Sequence, residues 1–307
     1  SFDESKFISR KTNKSDIKIL DEKKALKIFK QIIKKLVFFN GDGSFIPTYY
    51  LFNEIKKKTN VSLSGDGGDE IFFGYITFKA FYLLNIIKKL IPNFFLNLIK
   101  KSFNFNNFSN NYLNNKKKIS LFIKHLDKDL AMANSYWLND FEKNEINLIT
   151  GKKTGHKIIK KIKKIYDNNT PLRFAQIYYF KFYLPMVLEK VDCASMLNSV
   201  ESRAPLLTKD LINFTLSYSE NKNFNLFEEK KLMKNIFNDR LNKKFKNIKK
   251  HGFSFQKSLV LKNKKFIEKL INPIFLTNKN FFKKKYKEYL KYSLYENYIW
   301  NEVILNI

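Results

Sequence analysis

Cysteine occurs once in the 307 residues, at Cys193, so no disulfide can form within the chain. That suits a reducing, cytoplasmic compartment. Arginine is almost as scarce: Arg10, Arg173, Arg203 and Arg240 are the only four among 58 basic residues. Proteins that read nucleic acid use the planar guanidinium fork for bidentate contacts. A formal charge of +30 carried almost wholly by lysine therefore argues against a nucleic-acid groove. Lys, Asn, Ile and Phe are abundant together, as an AT-rich coding sequence would produce, and solvated lysine faces are the expectation. A weak, salt-sensitive attraction to polyanions is all that the charge requires. Long apolar runs are missing too. The nearest, "ITFKAFYLLNIIKKLIPNFFLNLI" at 76–99, is broken by Lys79, Lys88, Lys89 and Pro92. It reads as buried amphipathic helices, and no membrane span is expected. The three histidines, His125, His156 and His251, have no ligand spacing around them. His125 and His156 lie among lysines and are expected on the surface. Cys193, without a companion, reads as a small packing residue.

What is present is a globular composition, with 44% hydrophobic and 16% aromatic residues. Glycine is sparse, yet four of the nine fall in "VSLSGDGGDEIFFGY" at 61–75, three of them within 65–68. "NVSLSG" at 60–65 predicts a short strand entering a glycine turn, and 71–91 predicts a helix. Strand, glycine turn and helix in that order form the α/β pattern, whose ligands sit at the carboxyl ends of strands. Further helices are predicted at 20–36, after the turn at 41–50, and at 119–133, 153–168, 171–183, 189–199, 209–218 and 228–241. One or two more are predicted at 283–307. Strand signals fade after about residue 93. The expected architecture is an α/β part over 1–92 and a mostly helical part over 93–307.

The turn "SGDGGDE" has the makings of a site. Successive glycines let backbone N–H groups line a concave anion nest. Ser64 offers a hydroxyl, and Asp66, Asp69 and Glu70 offer oxygens for hydrogen bonds or Mg²⁺. A following helix would add the positive end of its dipole. The spacing is neither that of a Walker loop nor that of a dinucleotide fingerprint. By composition alone, a strand-to-helix turn with capping acids explains the stretch equally well.

Four motifs, in order, shift that balance. "LSGDGGDEIFFGY" resembles the signature of the synthetase domain of glutamine-dependent asparagine synthetases, SGDGGDE followed by FGGY. Phe73 stands for one glycine of FGGY. "GDGSFIPTYYL" at 41–51 is similar to that family's GDSSAIPTYLL, and "LEKVDCASMLNSVESRAPLL" at 188–207 to its KVDRASMAHSLEARVPFLD. "KKLMKNIFNDRL" followed by "KKHGF" resembles KYLLREALRDLLP and RPKRGF, and "YIWNEVIL" the closing tryptophan helix. The resemblance runs over nearly the whole chain.

The resemblance implies an α/β fold with a few-stranded parallel sheet of the adenine-nucleotide α-hydrolase-like (PP-loop) type, elaborated by a large helical C-terminal region. It implies an ATP- and Mg²⁺-dependent ligase that adenylates a carboxylate, releases pyrophosphate and lets ammonia attack, converting aspartate to asparagine. Ser64, Gly65, Gly67 and Gly68 would contact ATP, and Asp66 would act in forming the intermediate. Asp66 and Asp69 would be the Mg²⁺ carboxylates, and Lys250 of "KHGF" would meet the developing charge. Asp69, Glu70, Lys230, Asp192, Glu201 and Arg203 would support the site. The last three read equally as an internal ion-pair network. A homodimer is compatible with the resemblance.

The departures bear on the same site. The family's SGGxDS pyrophosphate loop does not occur here. It is expected about 30 residues before residue 1, the length of one βαβ unit. The glutaminase domain, the expected source of ammonia, is not in the sequence either. The chain is therefore expected to be a C-terminal fragment, weak in ATP binding by itself. "VFFN" at 37–40 replaces DEPF, Thr208 stands for the last acid of VPFLD, and Cys193 replaces an arginine. Two acids are also lost around "YLPMVLEKVD". These changes leave open another acceptor, such as a sugar, a peptide or a β-lactam precursor, and a non-catalytic synthetase-like relative.

Overall fold

A computed structural model of the chain describes residues 18–33, 42, 44–103, 115–138 and 156–237. It divides into two compact units. The described residues of the first lie within Ser1–Phe72 and Pro185–Val260, and those of the second within Phe73–Leu184 and Leu261–Ile307.

The first unit opens with helix α1 (Glu22–Ile33). The Asp21 carboxylate begins it by accepting from the Lys24 N–H at 2.8 Å. Ala25, Ile28, Phe29 and Ile32 recur at helical spacing and are buried. They pack towards α2 (Phe45–Ile55), whose Phe45, Ile46, Tyr49 and Phe52 are also buried. Each buried Ile or Phe among them stabilises the unit by about 1.5–3 kcal/mol. Pro47 sits in the first turn of α2, where its missing N–H breaks no helical bond.

Strand β1 (Val61–Leu63) follows and pairs in parallel with β2 (Glu201–Arg203), in the register Val61–Glu201, Ser62–Ser202 and Leu63–Arg203. Among the described residues the sheet has these two strands, so a strand lies inside the region expected to be mostly helical. "ESR" carries no apolar alternation, and its pairing with β1 makes it a strand. After β1 come the loop at 64–67 and α3 (Gly68–Ile71), a single turn.

The same unit takes up most of α10 (Leu184–Met196), then β2, a 3₁₀ turn (Pro205–Leu207), α11 (Lys209–Ser217), α12 (Glu220–Asn223) and α13 (Lys231–Ile236). Asn198 ties α10 to α2, donating to the Tyr49 carbonyl (3.3 Å) and the Ala194 carbonyl (2.8 Å) and accepting from the Asn53 amide (3.2 Å). Each αβ connection therefore delivers its strand to the sheet with its helix already joined to the other.

The second unit is helical: α4 (Ile76–Leu90), α5 (Asn93–Ser102), α6 (Asn115–Lys124), α7 (Leu130–Leu138), α8 (His156–Asp167) and α9 (Pro171–Tyr178), continued by a π turn (Tyr179–Tyr183). Its core is aromatic. Phe81 packs on Phe174 at 5.6 Å between ring centroids, and Phe78 on Tyr179 at 4.7 Å.

The helix expected over 71–91 is two helices, α3 and α4, separated at residues 72–75. Phe73 there has a φ of 53° and Tyr75 is extended. By length and composition Gly68–Leu90 could cross a membrane. It is nevertheless broken, and α4 turns Phe78, Phe81 and Leu84 fully into the core. The helix expected over 119–133 is also two, α6 and α7, because Asp129 ends the turn at 125–128 and its carboxylate accepts from the Ala131 N–H. His125 is buried, contrary to the surface position expected from its lysine-rich neighbours. Its Nδ1 meets the Leu121 carbonyl at 3.0 Å, and its ring lies parallel to that of Tyr136. The residues expected to form the helix at 283–307 lie outside those described.

Candidate functional site

The loop that leaves β1 is held from three directions within the first unit. Its start is fixed by the sheet, since the Ser64 N–H donates to the Arg203 carbonyl at 2.8 Å. Its turn is closed by the Gly68 N–H on the Gly65 carbonyl at 3.3 Å. Within it, the Ser64 hydroxyl donates to Asp66 Oδ2 at 2.8 Å. The other Asp66 oxygen has no protein partner among the described residues.

The three glycines differ in what they do. Gly67 has a φ of +87°, and a Cβ there would meet Leu207 Cδ2 at 2.2 Å. Any side chain would be both strained and obstructed. At Gly68 a Cβ would lie 2.9 Å from Leu206 Cδ1 and 3.9 Å from Lys230 Nζ. At Gly65 nothing lies within 4 Å, and the residue is exposed. The tight side of the loop is thus packed on the 3₁₀ turn after β2, while Gly65 faces open space.

The cation comes from far along the chain. Lys230 Nζ lies 2.9 Å from Asp69 Oδ1, with both side chains mostly buried. Lys230 itself has a φ of 55° at the start of α13. Glu70 is buried, and the buried Asn223 donates to the Ile71 carbonyl at 3.0 Å, anchoring α12 to the end of the loop. A helix dipole was expected to add to the anion site, but α3 is only four residues long, and the basic group the loop gains is instead Lys230.

Of the residues singled out in the sequence, Ser64, Gly65, Asp66, Gly67, Gly68, Asp69, Glu70 and Lys230 come together here. Asp192 lies exposed on α10. Glu201 and Arg203 are on β2 and pair with each other at 2.9 Å, both well exposed, so they do not form an internal network. Lys250 and the "VFFN" segment lie outside the described residues. Cys193 is half-buried, and burial, then Asp192 and Glu189, push its thiol up.

One cluster is not evident from the sequence. Lys190 Nζ donates to the Ser44 hydroxyl at 2.8 Å and lies 3.1 Å from Asp42 Oδ2. Asp42 Oδ1 in turn accepts from the Ser44 N–H and hydroxyl, both at 2.8 Å. Burial pushes the Asp42 carboxyl up, but the Lys190 charge and the Ser44 hydrogen bonds outweigh it and hold the group below its ordinary value. All three residues lie in the quoted motifs "GDGSFIPTYYL" and "LEKVDCASM". Their charge and spacing alone do not set them apart from the many other lysines and turns.

Compared with known protein families, residues 1–301 match the model for asparagine synthase. The chain belongs to the asparagine synthase family. A stretch of 54 residues is 48% identical to a putative glutamine-hydrolysing asparagine synthetase 2 of Methanocaldococcus jannaschii. That stretch covers 18% of this chain and 10% of the relative. No solved structure matches. The described framework of this family member is mostly helical α/β with a small parallel sheet.

Proposed function

We propose that the 64–70 loop and Lys230 form the nucleotide-facing wall of an amide-forming ligase. In the proposed reaction ATP adenylates a carboxylate, pyrophosphate leaves, and ammonia displaces AMP from the acyl-adenylate. The observation that carries this reading is the approach of the Lys230 ammonium to a loop whose Gly65 faces open space. A departing pyrophosphate concentrates negative charge, and a preorganised ammonium on that loop is suited to meet it. Ser64 and Gly65 would contact ATP, with Gly67 and Gly68 shaping the loop against Leu207 and Leu206. Asp66, whose second oxygen is available, would act in forming the intermediate. Lys250 would be a second cation, and for this residue the support is the resemblance of "KHGF" alone.

The carboxylates suit Mg²⁺ in a limited way. Asp69 is matched by Lys230, and among the described residues no group of three His, Cys, Asp or Glu side chains could hold a metal. Such a set fits an ion held mainly by phosphate oxygens with one or two carboxylates, Asp66 first and Asp69 second. A bound ion would supply counter-charge to those oxygens.

The acceptor we favour is aspartate, with ammonia drawn from a glutaminase domain. A second reading, another acceptor or a non-catalytic relative, is favoured by Thr208 and Cys193, which stand where the family has Asp and Arg. The test is carboxylate-dependent ATP–pyrophosphate exchange by the full-length gene product, with aspartate and then a panel of carboxylates. Loss of exchange in Asp66→Asn and Lys230→Met is expected. Exchange that survives both changes would overturn the site assignment, absence of exchange with every carboxylate would overturn the ligase assignment, and exchange with a different carboxylate would reassign the acceptor.

A further inference from the structure

All 28 acidic residues lie outside residues 71–126, while that stretch holds nine lysines. The bias that fills the chain with lysine leaves acids elsewhere, so the gap is local. Within it lies α5. Leu96 faces the core and is fully buried, whereas Phe94, Phe95, Leu98 and Ile99 are 67%, 54%, 45% and 45% exposed. At about 100° per residue these four occupy an arc of roughly 140° on the side away from Leu96. Along α4, Ile76, Leu83 and Leu90 recur at seven-residue spacing, and all three are exposed. Lys89 and Lys101 are exposed beside the two helices. Lys100 is turned the other way, 2.8 Å from Asp127. An exposed apolar helix face of this kind marks an interaction site.

We infer that this face of the helical unit seats on a lipid leaflet rich in anionic headgroups. The helix α5 lies in the interfacial plane, with Phe94, Phe95, Leu98 and Ile99 at the acyl boundary and Lys89 and Lys101 among the headgroups. At ten residues it is too short to span a bilayer, so it lies on the surface. Apolar exposure alone would suit a protein partner equally. The missing acids decide for the lipid, because lysines beside an acid-free apolar face are attracted to an anionic surface and nothing on it is repelled. The seat is independent of the loop chemistry.

The test is co-sedimentation of the full chain with vesicles of phosphatidylglycerol and phosphatidylcholine in equal parts, against phosphatidylcholine alone. Binding to the anionic vesicles is expected, persisting in part at about 0.5 M salt, where surface charge is screened. The exposed double variant F94S/L98S is expected to lower that residual partition about tenfold through lost apolar burial. K89Q/K101Q is expected to weaken binding mainly at low salt. A Phe94→Trp emission that shifts to the blue on adding vesicles places the side chain at the boundary. The inference is overturned if wild type and F94S/L98S bind alike, since the whole +30 chain would then adsorb by charge alone. It is also overturned by absence of binding, or by a dimer in solution that F94S/L98S dissociates.

Discussion

The Lys230 ammonium and the Asp69 carboxylate are 2.9 Å apart, joining the start of α13 to the glycine-rich loop. Lys230→Met removes this ammonium from beside the mostly buried Asp69. The expected cost is about 1–3 kcal/mol, read as a lower urea midpoint. If the loop meets pyrophosphate, exchange activity falls by about 10²-fold or more, and Lys230→Arg restores part of it. Equal loss of stability in K230M with unchanged exchange would leave the pair a purely structural one.

Gly67 carries two independent constraints, its φ of +87° and the Leu207 side chain 2.2 Å from where a Cβ would stand. Gly67→Ala is expected to destabilise by roughly 2–4 kcal/mol. Adding Leu207→Ala relieves the collision but not the backbone strain, so a double-mutant cycle in urea should show coupling and incomplete rescue. Gly65→Ala, with open space around it, should change stability by less than about 1 kcal/mol.

Asp42 has a folded pKa below its unfolded value, so its ion pair with Lys190 contributes stability that is present above the unfolded pKa. That stability is lost as pH falls through the folded pKa. Thermal unfolding between neutral pH and about pH 3 should therefore show a decline on the acid side that is shallower in Asp42→Asn. Lys190→Met takes the cation away from this partly buried carboxylate and leaves its Ser44 hydrogen bonds, at a cost of roughly 2–4 kcal/mol near neutral pH. An unchanged acid-side slope in D42N would show that the group titrates alike in both states.

Phe73 adopts a φ of 53°, in the left-handed region where the resembling FGGY motif has glycine. The strain costs about 1–2 kcal/mol. The ring is buried and meets Phe78 edge-on at 5.0 Å, and removing it forfeits about 3–5 kcal/mol. Burial outweighs the strain, so Phe73→Gly should lower stability by roughly 1–3 kcal/mol in urea unfolding despite the relaxed backbone. A stabilised variant would reverse that ordering.

Local sequence determined much of the framework. Ala25, Ile28, Phe29 and Ile32 announce α1 by spacing, and "NVSLSG" announces β1 and its turn. Four ordered motifs announce the family, because each is a short-range pattern that survives without knowledge of the fold. The boundaries at 72–75 and 125–129 were not legible, since the breaks depend on Phe73 finding a buried seat and on Asp129 ending a turn. His125 departs from its expected place for a related reason: lysines surround it in sequence, but the turn at 125–128 directs its ring against that of Tyr136.

Only the tertiary structure decided which lysine out of so many meets the loop, which acids remain available, and that "ESR" is a strand. Lys190 and Ser44 are 146 positions apart, and Lys230 is similarly remote from Asp69. Charge and hydrogen-bonding partners act over a few ångströms in space, whereas motif and periodicity act over a few residues along the chain. The sequence therefore determined the loop and the family, and packing chose the residues that surround it.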